Sequence, residues 1–173
     1  MITVKHYRRP VAGIIVGGER ARLTPGVMSK FSGALASKEV NIYAVGTGEN
    51  YISFFVDEAE AEKATLILTD TISKTPFESI SVKRNLGVVS ITGQELVNTP
   101  GLVFKLLTPI AKEKLNIIDL TSAYDSIILT FDYAEAEKAY KLLNAYIPTK
   151  IGIFRKAKEH VKAIIKKIIP SKR

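Results

Sequence analysis

The sequence predicts an α+β fold made of two copies of one strand–helix–strand–strand–helix–strand unit. The first observation is an internal repeat: with a shift of 75 residues, positions 11–72 align with 86–147 without a gap, and 18 of 62 positions are identical. The second is that apolar runs, turns and amphipathic stretches follow in the same order in both copies. The third is the triplet Thr-Pro-Gly, which occurs at residues 24–26 and again at 99–101.

The composition restricts the class of protein. The chain has no cysteine, which excludes disulfides, zinc–thiolate sites and thiol nucleophiles. It has no apolar run of the roughly 18 residues that cross a membrane, and its beginning lacks the apolar region of a secretory signal, so we expect a cytoplasmic protein. Residues 151–173 hold eight Lys/Arg and one Asp/Glu, whereas residues 1–150 hold 17 and 16. The net charge of +8 therefore belongs mainly to the tail.

The first half of each copy predicts a strand, a loop and a helix. Apolar runs at 11–16 and 86–91 are the first strands. At each Thr-Pro-Gly we expect Thr to be the helix N-cap and Pro the first helical residue. Pro109 should kink the second copy's helix. The apolar faces of the two helices are Val27, Phe31, Ala34 and Leu35, and Leu102, Leu106 and Ile110.

The second half of each copy predicts two strands, a helix and a fourth strand. The predicted second strands are 42–45 and 117–120, the third are 51–56 and 126–131, and the fourth are 79–84 and 150–154. Gly46–Asn50 and Thr121–Asp125 are the predicted turns, and Asp57 and Asp132 are the predicted N-caps of helices that both contain Ala-Glu-Ala-Glu-Lys-Ala. This order gives an antiparallel sheet with both helices on one face, the ferredoxin-like arrangement. Residues 2–6 also have a strand pattern, which leaves strand exchange between copies or chains open.

We divide the chain into a first unit at 1–84, a second unit at 85–155 and a basic amphipathic helix and tail at 156–173. The apolar stripe of the tail is Ala157, Val161, Ile164, Ile165 and Ile168, with lysines filling most other positions. Packing on the domain body or on a twin helix, docking on an acidic partner, and binding to nucleic acid or a membrane surface all remain open for it.

The sequence offers no catalytic constellation. His6 and His160 lie at opposite ends of the chain, so no Ser-His-Asp arrangement can be built. The pairs Glu60/Glu62 and Glu135/Glu137 repeat beside lysines on a solvated helix face. We therefore predict a protein that is not an enzyme, with no catalytic residue, no metal ligands and no cofactor.

Two features instead predict a site for a free amino acid. A helix N-terminus has free N–H groups and a positive dipole end, which suit a carboxylate. Asp119 lies in an otherwise apolar strand, where the first copy has Ala44, and a carboxylate there requires a cation or hydrogen-bond donors. The alternative for Asp119 is an edge position that faces water.

The pattern apolar strand, Gly, loop, Thr-Pro-Gly, helix, Asn-Ile, strand, turn and strand resembles the ACT domain. The doubled form is similar to the paired regulatory domains at the C-terminus of aspartate kinase, with Val88–Leu120 similar to the segments that hold the effector there. The resemblance covers roughly residues 10–155. It implies ACT units packed side by side, lysine or threonine bound at their interface, and a homodimer or higher oligomer. The residues that it implies for the ligand are Gln94, Asn98, Thr99, Gly101, Leu102, Asn116, Ile117 and Asp119, with Thr24, Gly26, Val27 and Asn41 in the first copy.

We expect a regulatory module without its kinase, acting on a separate enzyme subunit or sensing an amino acid for another output. The alternative is a nucleic-acid-binding protein, because RNA-recognition domains share this order of strands and helices. That function requires exposed aromatic residues on the first and third strands. Here Tyr51, Phe54 and Phe55 occur on one third strand only, so nucleic acid is not favoured and only the basic tail supports it.

Overall fold

The computed structural model describes residues 1–18 and 25–147, which form a six-stranded antiparallel sheet and five helices. A short 3-10 turn, Glu58–Glu60, leads into the second helix. The elements are β1 (Thr3–Gly17), α1 (Val27–Ala36), β2 (Ala44–Thr47), β3 (Tyr51–Asp57), α2 (Ala61–Ile72), β4 (Ser79–Thr92), α3 (Glu95–Asn98), α4 (Leu102–Lys112), β5 (Asp119–Ala123), β6 (Ser126–Asp132) and α5 (Tyr133–Tyr146).

The strand order in the sheet is β2-β3-β1-β4-β6-β5, and two units share the central strands β1 and β4. The later half of β1 and the earlier half of β4 belong to the first unit, with β2, β3, α1 and α2. The later half of β4 and the earlier half of β1 belong to the second unit, with β5, β6, α4 and α5. The predicted α+β fold of two βαββαβ units is confirmed.

Strand exchange between the copies, which the sequence left open, is present. Residues Thr3 to Tyr7 pair with Val88 to Thr92, in the place of the second unit's fourth strand. The predicted fourth strand at 150–154 and the predicted basic helix at 156–173 lie outside the described residues. The beginning of β1 thus completes the second sheet, as the beginning of β4 completes the first.

The central strands pass from one unit to the other through an irregular segment. The β1–β4 register shifts between Tyr7 and Val11 and again between Val11 and Gly13. On β4, Asn85 has a left-handed backbone conformation with φ of 56°. The predicted boundary between residues 84 and 85 lies within this crossing segment, and the division into units at that point stays a prediction.

Equivalent residues of the two copies hold this crossing in place. Glu58 accepts a hydrogen bond from the backbone N–H of Asn85 at 2.9 Å and pairs with Arg84 at 3.2 Å. Tyr133 occupies the position of Glu58 in the second copy, and its hydroxyl donates to the backbone carbonyl of Arg8 at 2.7 Å. The start of each unit's second long helix is therefore tied to the point where a central strand leaves that unit for the other one.

Each unit has its own core between its sheet and its helices. The predicted helix faces are buried at Val27, Phe31 and Leu35 in α1 and at all three predicted positions in α4, whereas Ala34 is only half-buried. Fully buried side chains of the first core include Ile14, Phe31, Phe54 and Leu68, and those of the second include Ile91, Leu106, Leu129 and Leu143.

A third apolar cluster joins the faces that carry no helices. Its buried members are Val11, Phe55 and Leu86, and Ala44 and Ile118 pack against them. Since Phe55 comes from β3 of the first unit and Ile118 precedes β5 of the second, the helix-free faces of the two units turn toward each other. This arrangement brings the edge strands β2 and β5 close together.

The second strands begin two residues later than the sequence predicts. Ile42 and Ile117 lie before the strands, and their side chains pack against the cores. The predicted turns are shorter than expected, because residues 46–47 belong to β2 and residues 121–123 belong to β5. The structure places Pro109 inside α4, which continues to Lys112, and the kink expected at this proline stays a prediction. Of the two predicted caps, Asp57 accepts a hydrogen bond from the N–H of Ala59 at 3.1 Å, whereas Asp132 makes no side-chain cap.

The prediction that Thr caps the helix after Thr-Pro-Gly is wrong for Thr99. The N–H of Leu102 donates to the carbonyl of Thr99 at 3.1 Å, and Gly101 has φ of 75° and ψ of 6°. These values define a type II turn, which has proline at its second position and glycine at its third. Gly101 is therefore the N-cap of α4, and Gly26, with φ of 78°, is the N-cap of α1. Thr24 lies outside the described residues.

We expect Gly101→Ala to lower the free energy of unfolding by about 1–2 kcal/mol, because a Cβ disfavours the left-handed conformation. A Cβ at Gly101 would meet nothing within 4 Å, so the cost comes from the backbone alone. Gly33→Ala in α1 is the matched control, since its Cβ also meets nothing and it lies inside a helix, where alanine should add about 0.5–1 kcal/mol. Urea unfolding measures both, and equal stabilities for the two variants would contradict the turn assignment.

His6 provides a pH-dependent contribution to stability. Its ring stacks on Tyr140 with centroids 5.8 Å apart, and its Nε2 is buried without a hydrogen-bond partner among the described residues. Burial lowers the pKa of His6 below 6.5, Arg8 lowers it further, and Glu137 opposes both. The folded state therefore binds fewer protons than the unfolded state as the pH falls through about 6.5.

Thermal melts of the wild-type chain should accordingly show a lower Tm at pH 5.5 than at pH 8. His6→Phe keeps an aromatic ring against Tyr140 and removes the titrating group, so its Tm should fall less over the same interval. An identical pH dependence in both proteins would exclude His6 as the cause.

Candidate functional site

The predicted binding loop of the second unit is tied to the turn between β5 and β6. The backbone N–H of Gly93 donates to the carbonyl of Asp125 at 2.8 Å, and the side-chain amide of Gln94 reaches the carboxylate of Asp125 at 3.5 Å. The side chain of Asn98 donates to the carbonyl of Gln94 at 3.1 Å. Gln94 and Asn98 are both exposed, so their side chains are accessible from solvent.

The helix start that follows this loop combines one exposed and one buried residue. Gly101 is exposed with open space beside it, whereas Leu102 is 2% exposed and packs in the second core. Gly26 and Val27 repeat the arrangement in the first unit. The first turn of each helix directs backbone N–H groups away from the helix body, and these groups have no acceptor inside the helix.

The other predicted site residues lie beyond the far ends of these helices. Asn41 and Asn116 are exposed in the segments that follow α1 and α4. Ile117 is half-buried and packs against the second core, which gives it a structural role. These residues therefore do not join the helix starts within one unit.

Asp119 is the first residue of β5 and is half-buried. Its Oδ2 accepts a hydrogen bond from the hydroxyl of Thr121 at 3.1 Å. Within residues 1–18 and 25–147 no lysine or arginine forms an ion pair with it. Its backbone lies directly opposite Thr130, whose side chain is 1% exposed.

The structure separates Asp119 from the helix start of its own unit. Ala123, at the other end of β5, pairs with Ser126, which in turn pairs with Thr92 just before the binding loop. The loop and Asp119 are therefore separated by the length of β5, roughly 13 Å. The predicted site residues of the second unit form two groups in one chain, a helix-start group and an Asp119 group.

The Asp119 group includes residues of the first unit that the sequence analysis missed. A Cβ placed on Gly46 in β2 would lie 3.7 Å from Asp119 Oδ1 and would collide with the hydroxyl of Ser53 in β3. Ser53 is 3% exposed. A signal was available, because Ser53 is the one polar residue in the buried run 52–56, but only the structure shows that its neighbour Gly46 lies near Asp119.

Two further classes of site find no support in the part of the chain that the structure describes. No group of three or more His, Asp or Glu side chains there could hold a metal ion. No helix there is both long enough and apolar enough to cross a membrane.

Comparison with known proteins identifies the units. One ACT domain model matches residues 14–71, and a second ACT domain model matches residues 81–145. The aspartokinase of Helicobacter pylori (strain 26695) is 24% identical over 147 residues, which cover 78% of this chain and 36% of that protein. The chain thus spans about a third of the length of the curated relatives that it matches.

Solved structures show the same fold. The regulatory subunit of aspartate kinase from Thermus thermophilus, in its ligand-free form, has a TM-score of 0.67 and 20% identity, with 83% of this chain and 95% of that chain covered. Aspartate kinase from Clostridium acetobutylicum has a TM-score of 0.72 and 18% identity, with coverage of 83% and 34%. One ACT domain model matches each unit, the two together cover more than half of the chain, and the chain therefore belongs to the ACT domain family.

Proposed function

We propose that this chain is an amino-acid-binding regulatory module of the aspartokinase type, with no catalytic activity of its own. The observation that carries the proposal is Asp119, a half-buried carboxylate whose recorded partner is the hydroxyl of Thr121. A carboxylate in that setting binds a cationic donor such as an ammonium group favourably, because the surrounding protein screens the charge less than water does.

The amino acid's carboxylate is then bound by a helix-start group, with Gly101 and the first N–H groups of α4. One chain keeps this group about 13 Å from Asp119 along β5. A second copy that pairs antiparallel along the free edge of β5 would bring its helix start toward Asp119. Phe104 on α4 is 75% exposed and Leu120 on β5 is 39% exposed, which supports burial of apolar side chains of the second unit against another copy. The first copy has Ser29 and Val45 at these positions.

The regulated enzyme is, in this proposal, an aspartokinase catalytic chain or subunit, and the effector is lysine or threonine. Support comes from the relatives, since structures described as regulatory subunits of aspartate kinase share the fold of both units. The protein acts in the cytoplasm, where amino acids are synthesised.

Nucleic-acid binding is not favoured by the structure. The aromatic residues that could stack on bases are buried, because Phe54 is 0% exposed in the first core and Phe55 is 4% exposed between the helix-free faces. Tyr51, 43% exposed, is left alone on β3. One accessible ring on the described strand β3 does not form the stacking platform that RNA-recognition domains use.

We expect lysine, threonine or another of the twenty amino acids to raise the Tm of the chain, because a ligand that binds only the folded state stabilises it. At a ligand concentration about 100 times Kd the gain is roughly 2.7 kcal/mol. Asp119→Ala should abolish the increase, and thermal melting with the full set of amino acids measures it.

Asp70→Ala is the control, since Asp70 is an exposed carboxylate on α2 that pairs with Lys74 at 2.9 Å. This variant should respond to the amino acid as the wild type does. Sedimentation with and without the amino acid tests the second copy, because the ligand should shift the chain toward the dimer. No Tm response to any of the twenty amino acids would reject the proposed function.

A further inference from the structure

Tyr7 and Tyr43 form a pair of phenols between the two units. Tyr7 ends the part of β1 that completes the second sheet, whereas Tyr43 immediately precedes β2 of the first unit. Their ring centroids are 4.7 Å apart at an interplanar angle of 47°, and the Tyr7 hydroxyl donates a hydrogen bond to the Tyr43 oxygen at 2.6 Å. The two side chains therefore contact each other through both their rings and their hydroxyl groups.

One member of the pair is held by apolar contacts and the other is open to solvent. Tyr7 is half-buried and packs against the third apolar cluster, which joins the helix-free faces. Tyr43 is 38% exposed. The pair is thus kept in place at Tyr7, while a molecule in solution can reach the ring of Tyr43.

A carboxylate lies beside the pair. Asp57 Oδ2 is 3.5 Å from the Tyr7 hydroxyl oxygen, and Arg9 pairs with the same carboxylate at 3.8 Å. Burial and the hydrogen bond to Tyr43 raise the pKa of Tyr7 to about 12, so this phenol keeps its proton at neutral pH. A protonated phenol that loses an electron becomes a strong acid, and a carboxylate within reach can accept the proton that it releases.

The composition directs one-electron oxidation to tyrosine. The chain contains no cysteine and no tryptophan, the other side chains that give up a single electron readily. Its two methionines are oxidised by taking up an oxygen atom, which forms a sulfoxide and joins no side chains. All seven tyrosines lie in the described residues, and among them Tyr7 and Tyr43 are the two whose rings contact each other. A one-electron oxidant therefore meets one pair that is already assembled for coupling.

We propose that Tyr7 and Tyr43 are a site of oxidative cross-linking, which a haem peroxidase with hydrogen peroxide converts to dityrosine. Each phenol loses one electron and one proton, and the two radicals join through a carbon–carbon bond between ring positions next to the hydroxyls. The hydrogens on those ring carbons then move to the oxygens, which restores both phenols. Hydrogen peroxide takes up the two electrons and two protons and becomes two molecules of water.

The cross-link joins the two units at the contact between their helix-free faces. It links residues that are 36 positions apart, so it restricts the unfolded chain and should raise the stability. The start of β2 is then attached to the second unit by a bond that unfolding does not break. This modification is separate from the proposed amino-acid binding, since neither tyrosine is among the proposed ligand residues.

Treatment of the full chain with hydrogen peroxide and a haem peroxidase tests the proposal. The product should show dityrosine fluorescence, migrate as a single chain under denaturing conditions and be lighter by the mass of the two lost hydrogens. Peptide mapping by mass spectrometry should find Tyr7 and Tyr43 in one cross-linked peptide, which tests the site without any variant. The Tm of this product should exceed that of the untreated chain by roughly 5 °C or more.

Tyr7→Phe and Tyr43→Phe each keep an aromatic ring in place and remove one of the two phenols, so each should lose the single-chain dityrosine. Tyr51→Phe is the matched control, because Tyr51 is 43% exposed and its loss should leave the yield unchanged. Asp57→Asn should form the product at least several-fold more slowly, since it removes the carboxylate that accepts the proton.

Three results would overturn the assignment. The first is single-chain dityrosine that persists in either of the two phenol-removing variants. The second is dityrosine that forms only in cross-linked dimers, which would place the coupling at exposed tyrosines such as Tyr51 or Tyr124. The third is a wild-type chain that forms no dityrosine under conditions in which free tyrosine couples.

Discussion

The antiparallel pairing of β1 with β4 is the contact on which both units depend. One half of each strand lies in the first sheet and the other half lies in the second, so neither four-stranded sheet is complete without the strand that it shares. Glu58 and Tyr133 fix the crossing by binding the backbone of β4 and β1 at the points where these strands leave one unit for the other. The two ACT units are therefore structurally interdependent. Because β1 and β4 run through both sheets, the two units are joined in every copy of the chain.

Because the two units are copies of one fold, equivalent faces of their sheets pack against each other. Some of the residues that differ between the copies lie at this contact. The third apolar cluster closes the helix-free faces with Val11, Phe55 and Leu86. Beside it, the first copy contributes small or polar residues, Gly46 and Ser53, and the second contributes Asp119. The two units therefore differ in the side chains that they place where their helix-free faces meet.

The sequence predicted the fold well because its main signals are local. Each signal depends on residues that are near one another in the sequence. These signals are the repeat, the apolar periodicity of α1 and α4, and the β-branched and aromatic residues of the third strands, and the structure contains all the corresponding elements. The N-cap was misjudged at Thr99 because Pro-Gly favours a type II turn over an immediate helix. The closeness of Gly46 to Asp119 was missed because these residues lie on the two edge strands of the sheet, and a contact between such distant strands is a long-range property that no local pattern encodes.

Native-state hydrogen exchange tests the shared strands most directly. If β1 and β4 join the units into one cooperative structure, the amides of β3 and β6 should exchange with the same free energy of opening, and both should lose protection together in rising denaturant. Their denaturant dependence should match that of global unfolding. Exchange of the β3 amides by an opening that leaves β6 fully protected, or the reverse, would show that each unit unfolds alone and would contradict the shared-strand account.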